Sequence, residues 1–136
     1  MLGLTELQKE LAPGVLAGLA DDNGDGAADA EVIAAIAAAA ERDVRLRVAG
    51  TLSLPAGELP PALRDIALTF AVERLYERRH EVLPGDWTAR AQRARLLLAE
   101  IADGLRPVEG ATRRPAVSSN ADPQARLART DVLGNL

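Results

Sequence analysis

The run Asp21-Asp22-Asn23-Gly24-Asp25-Gly26-Ala27-Ala28-Asp29 constrains this chain more than any other, because it opens directly into an Ala-rich segment from Ala30 to Ala49. Asp, Asn and Gly at alternating positions build a tight turn of inward-facing oxygens. Asp29 stands where a helix N-cap is expected, next to the unpaired backbone donors of the helix that follows. A loop of this kind either holds a hard cation or starts a helix. Beyond it Ile33, Ile36, Ala40, Val44 and Val48 fall near helical spacing. That spacing predicts a long helix ending near Gly50, with Glu41, Arg42, Asp43 and Arg45 available for charge pairs.

What can pack against such a helix is limited by residue type. Hydrophobic residues make up 48% of the 136-residue chain but aromatics only 2%, so the core must come from Ala, Leu, Val and Ile. Small aliphatic side chains suit closely approaching helices and leave no material for a deep ligand pocket. The length fits one small domain plus an appendage. The expected fold is all-α: a small helical bundle with long central helices over residues 1–108, followed by an extended C-terminal arm over 109–136.

The remaining elements follow from punctuation. Thr5-Glu6-Leu7-Gln8 fits a capping box for a short helix to about Leu11. Pro13 and Gly14 interrupt it, and Val15 to Ala20 make a second short turn. Thr51 to Gly57 is a connector with a brief extended piece at Leu52 to Leu54. Pro60 and Pro61 mark a helix start, since proline is tolerated where its missing donor would be unpaired anyway. Leu63, Ile66, Phe70 and Arg74 lie on one face of that helix, and Leu68, Val72, Leu75 and Tyr76 on another. A helix apolar on two sides belongs at the centre, and Phe70 is expected in its core. Arg78-Arg79-His80 closes it with cations where the dipole favours them. Pro84-Gly85-Asp86 is a turn, with Asp86 as cap of a helix from Trp87 to about Asp103 that buries Trp87, Ala91, Ala94, Leu98 and Ile101 and stops at Gly104.

Several chemistries are disfavoured. There is no cysteine, hence no disulfide framework and no thiolate centre. His80 is the only histidine, so one chain assembles neither a histidine metal cluster nor a Ser-His-Asp triad. Glu73, Glu77 and Glu81 recur every four residues but are interleaved with Arg74, Arg78 and Arg79, which reads as a solvated or intersubunit salt-bridge face. No enzymatic activity is expected. The formal net charge of −4 has the wrong sign for gripping phosphates, so nucleic acid is expected only as passing cargo. No apolar run reaches the roughly 18 residues that span a bilayer, the start lacks a basic region ahead of an apolar one, and a soluble product made in a cytoplasm is expected.

The acidic loop matches the calcium-loop pattern with Asp21, Asn23, Asp25 and Asp29 at positions 1, 3, 5 and 9, Gly26 at 6 and the Ala27 carbonyl at 7. Position 12, which supplies a bidentate Glu in that pattern, is Val32, and Glu31 falls one residue early. A capping turn with at most weak Ca2+ affinity is therefore expected, and no other cofactor.

Beyond Pro107 the periodicity disappears. The stretch from Glu109 to Leu136 is read as a docking arm, disordered in the free chain and ordered on a partner. Its contacts would be Arg113, Arg114, Arg126 and Arg129 toward an acidic surface, with Leu127, Val132, Leu133 and Leu136 as separated apolar anchors.

Leu19-Ala20-Asp21-Asp22-Asn23-Gly24-Asp25-Gly26, then Asp29 opening an Ala-rich helix, then Leu59-Pro60-Pro61-Ala62-Leu63-Arg64-Asp65-Ile66-Ala67 and Arg74-Leu75-Tyr76, together resemble the phage neck proteins of the Mu-like type. The resemblance covers about Thr5 to Arg106. Asn23 stands where that family commonly has Asp, and the C-terminal extension has no motif to compare. The resemblance implies a small all-helical head–tail connector, also found in phage-derived gene transfer agents. Such subunits form a ring, commonly twelve-fold, beneath the portal. The ring extends the DNA channel, completes the head and docks the next neck or tail protein. An acidic lining suits a conduit, since it repels phosphate where a basic one would retard it. The residues also allow a small calcium-responsive interaction module or, more distantly, a helical nucleic-acid-binding regulator.

Overall fold

The computed structural model of the chain describes residues 2–115. Its elements in order are α1 (Leu4–Glu10), α2 (Pro13–Ala20), α3 (Ala30–Val48), β1 (Leu52–Ser53), α4 (Pro61–Arg78), α5 (Gly85–Ala102) and β2 (Thr112–Arg113). Helices α3, α4 and α5 pack on one another as a bundle, and α4 also meets α1 and α2, which makes it the central helix. The expected mainly helical bundle is what forms.

The Ala-rich composition explains how α3 and α4 come together. The α3 seam is Ile33, Ala37, Ala40, Val44 and Val48, all buried, and the alanines let the helix backbones approach. On α4, Leu63, Ile66, Leu68, Val72, Leu75 and Tyr76 are buried on both predicted faces. Helix α5 buries Trp87, Ala91, Ala94, Leu98 and Ile101, the five positions its periodicity marks.

The two long C-terminal helices stop by the same device. In α5 the Leu105 amide donates to the Glu100 carbonyl at 2.8 Å and the Gly104 amide to Ile101 at 3.0 Å, with Gly104 at φ 78°. In α4 the Glu81 amide donates to Tyr76 at 3.0 Å and the His80 amide to Glu77 at 3.0 Å, with His80 at φ 55°. Both are Schellman ends, which need one left-handed residue. His80 fills that place despite its Cβ.

Several local expectations are corrected. Helix α1 begins at Leu4, with the Gly3 amide donating to Glu6 Oε1 at 3.1 Å, so Thr5 is an exposed residue within the helix and caps nothing. Starting there seats Leu4 and Leu7 on the core. Pro13 does not merely interrupt; it is the first residue of α2. Helix α5 starts at Gly85 after an extended Pro84, so Asp86 lies inside the first turn without a capping bond. Phe70 is half-buried at the edge of the core, its ring centroid 5.7 Å from the Arg95 guanidinium. Glu41, expected on the charged side of α3, is buried and accepts the Leu2 amide at 3.0 Å.

The segment after Gly104 folds back across the end of the bundle. Val108 is buried. Strand β2 pairs antiparallel with β1, Leu52 opposite Arg113 and Ser53 opposite Thr112, and the Arg114 amide donates to Thr51 at 2.7 Å. Residues 109–115, read from sequence as the start of an arm, are thus part of the body. Pairing with Leu52 and Ser53 supplies backbone partners that no local periodicity signals.

Candidate functional site

Asp21 begins the loop, and its carboxylate organises the turn. Asp21 Oδ1 accepts the Gly24 and Asp25 amides at 2.8 and 3.2 Å, and Oδ2 accepts the Gly26 amide at 2.8 Å. Asn23 Oδ1 accepts the Asp25 amide at 3.0 Å, and Asp25 Oδ1 accepts the Ala27 amide at 3.0 Å. Gly24 and Gly26 lie at φ 78° and 85°, conformations that a Cβ disfavours. The bond from Gly26, foremost among these amides, holds the Asp21 carboxyl below its usual range.

Asp29 does not cap α3. Its Oδ2 turns back into the loop and accepts the Asp22 amide at 2.9 Å, while its own amide donates to the Ala20 carbonyl at 2.9 Å, closing the loop at its base. Facing the loop rather than the helix end brings Asp21, Asp25 and Asp29 together: one carboxylate oxygen of each lies within 4.8 Å of the others. This is the oxygen-rich donor set that a hard cation takes. Val32 offers no oxygen at position 12, and its side chain packs against the core. Asn23 and the Ala27 amide belong to the same turn.

The loop is clasped to the C-terminus of α4. Arg78 donates from Nη2 to Asp22 Oδ2 at 2.7 Å and from Nη1 to the Leu19 carbonyl at 2.8 Å. Arg79 donates from Nη2 to Asp22 Oδ1 at 2.7 Å and to the Asp21 carbonyl at 3.1 Å, and from Nε to Leu19 at 3.2 Å. Arg78, and then Arg79, holds the Asp22 carboxyl below its ordinary value. The arginines also meet carbonyls at the C-terminal end of α2, where a helix presents unpaired acceptors.

Two further charges of α4 are spent across elements. Glu73 accepts Arg95 of α5 at 2.6 Å, and Arg74 pairs with Asp43 of α3. Of the face read as salt bridges, Glu73, Arg74, Arg78 and Arg79 are thus paired within the chain, whereas Glu77 and Glu81 are in no ion pair among the described residues.

Of the residues expected to meet a partner, Arg113 and Arg114 are engaged on this chain. Arg113 donates to the Gly104 carbonyl, and Arg114 Nε to Ala49 and Leu52 at 2.7 and 3.1 Å. Arg126, Leu127, Arg129, Val132, Leu133 and Leu136 lie outside the described residues, as does the arm they belong to. Sequence reasoning missed the clasp. Its one signal was a doubly basic helix end in a chain whose densest acidic run contains Asp22.

Fold and site together define a small, mainly helical bundle protein whose distinctive surface is an acidic loop locked to its central helix. The chain belongs to the family described as Bacteriophage Mu, Gp36, which matches residues 3–126, and it is a Mu-like phage protein. No curated protein matches it. Among the described residues no helix is long and apolar enough to cross a membrane.

Proposed function

We propose that this chain is a head–tail connector: a structural, non-catalytic subunit of a ring, twelve-fold by the family resemblance, beneath the portal of a tailed phage or a phage-like gene transfer agent. Membership of the Bacteriophage Mu, Gp36 family carries the reading. The ring extends the portal channel, binds the portal on one side and the next neck or tail protein on the other, and passes DNA without holding it. The net charge of −4 supports that last role, and so does the pairing of Arg74, Arg78, Arg79 and Arg95 with carboxylates, which withdraws those cations from phosphate.

Deleting the coding sequence from its phage or prophage tests this. DNA-filled heads without tails, or heads that lose DNA, are expected. Complementation should restore particles that carry the chain at the neck in electron micrographs labelled with a tag on it. Normally tailed, infectious particles from the deletion would end the connector reading.

A calcium-binding interaction module is the second reading, and the convergence of Asp21, Asp25 and Asp29 is what favours it. Calorimetric titration with calcium tests this second reading.

A further inference from the structure

The outer side of α3 carries a charge order that matches its own reverse. Glu31, in the first turn, and Arg42 are both exposed, and neither side chain is in an ion pair or hydrogen bond among the described residues. They stand 11 residues apart, three turns and about 20°, so they share one stripe with about 16 Å between them. Pairing within a helix reaches only three or four residues, so α3 cannot join them itself. Between them the stripe holds the exposed Ala35 and Ala38, and Leu46 follows one turn beyond Arg42, 70% exposed.

We infer that the free chain pairs with a second copy through this stripe, the two α3 helices lying antiparallel about a two-fold axis between Ala35 and Ala38. Glu31 of each copy then meets Arg42 of the other, so one operation satisfies four charges. Alanine at the crossing lets the helix backbones approach, and Leu46 closes over the first turn of the other helix.

The spacing selects a second copy as the occupant. A mate must present a base and an acid about 16 Å apart, in reverse order, on one side. An antiparallel α3 does so by symmetry. After Pro115 the acids are Asp122 and Asp131 and the bases Arg126 and Arg129, and the widest acid-to-base separation, Asp122 to Arg129, is seven residues. Wound as a helix, that segment spans about 10 Å and cannot reach both Glu31 and Arg42. Extended, it spans the distance, but the side of a helix offers its backbone no hydrogen-bond partners, which leaves two exposed ion pairs to hold it. A two-fold contact ends at one pair, unlike the head-to-tail contacts that close a ring, so the pair is a form of the free chain and does not rest on the connector reading.

Charge reversal in the full chain tests the pairing, because both residues are exposed and the variants should keep the circular dichroism of the wild type. Sedimentation velocity at low ionic strength should show the wild type dimerising as its concentration rises. Glu31→Arg and Arg42→Glu each set like charges against one another twice, and each should weaken the dimer at least about tenfold. Mixing the two variants in equal amounts should restore the dimer, since one copy then carries two arginines on its stripe and the other two glutamates. The double variant Glu31→Arg, Arg42→Glu should dimerise as the wild type does, which separates charge repulsion from damage to the fold. A wild type that stays monomeric up to millimolar concentration would refute the pair. Single variants that dimerise unchanged would place the contact on another surface, and folded variants that fail to recover on mixing would give Glu31 and Arg42 to the C-terminal segment or to another mate. Either result overturns the α3 pairing.

Discussion

Arg78 reaches Asp22 across 56 residues of sequence, its Nη2 donating to Asp22 Oδ2 at 2.7 Å. Arg79 holds the other oxygen of the same carboxylate. The acidic loop is therefore an extension of the central helix, and its position is set by α4 as much as by its own turn.

Asp22→Asn should loosen that attachment. The Asp22 carboxyl is held low in the folded chain, first by the Arg78 hydrogen bond, so folding favours its ionised form. The stabilisation is complete above the usual Asp value near about pH 4, and it is lost as pH falls through the lower folded-state value. The wild type should lose denaturant resistance on acidification through this window, with a smaller loss in Asp22→Asn. Urea midpoints measured along a pH series check this, and identical pH profiles would refute it.

His80→Gly should stabilise the protein by roughly 1 kcal/mol, because glycine enters the left-handed region without the Cβ penalty. At the equivalent place in α5, Gly104→Ala should destabilise. A Cβ there meets the Arg113 guanidinium as well as the positive φ of 78°. Thermal melts of the two variants should move in opposite directions.

Leu75→Ala should cost about 2 to 5 kcal/mol, since Leu75 is fully buried on the central helix. Phe70→Ala should cost less despite removing a larger side chain, because Phe70 lies half-buried beside Arg95. Chemical denaturation ranks the two, and the reverse order would place Phe70 in the core after all.

Calcium titration of the wild-type chain should show no micromolar affinity, since Val32 supplies no oxygen at position 12 of the loop. Val32→Glu should tighten binding. Micromolar binding by the wild type, abolished in Asp21→Ala, Asp25→Ala together, would instead support the calcium-module reading.

Truncation after Val108 should lower the melting temperature relative to truncation after Pro115. The shorter chain loses the β2 pairing and the three bonds from Arg114 to Thr51, Ala49 and Leu52. Equal melting temperatures would mean that the returning segment contributes nothing to the body.

The sequence by itself determined what depends on local periodicity and punctuation. The five buried positions of α5, the centrality of a helix apolar on two faces, the proline start of α4 and the glycine stop of α5 all depend on neighbours within a few turns, so one-dimensional spacing reveals them. The turn of the acidic loop was legible for the same reason, since the bonds that Asp21, Asn23 and Asp25 accept run between residues at most five apart. Tertiary structure alone decided where side chains with several acceptable partners would go. Asp29 had a helix end to cap but serves the Asp22 amide, Glu41 leaves the charged side of α3 for the Leu2 amide, and Arg78 and Arg79 bind a loop rather than their own helix. Thr112 and Arg113 have no periodicity, yet they become a strand because Leu52 and Ser53 offer paired backbone groups. Long polar side chains and unpaired backbone choose among partners by proximity in the folded chain, and that proximity exists only once the helices have packed.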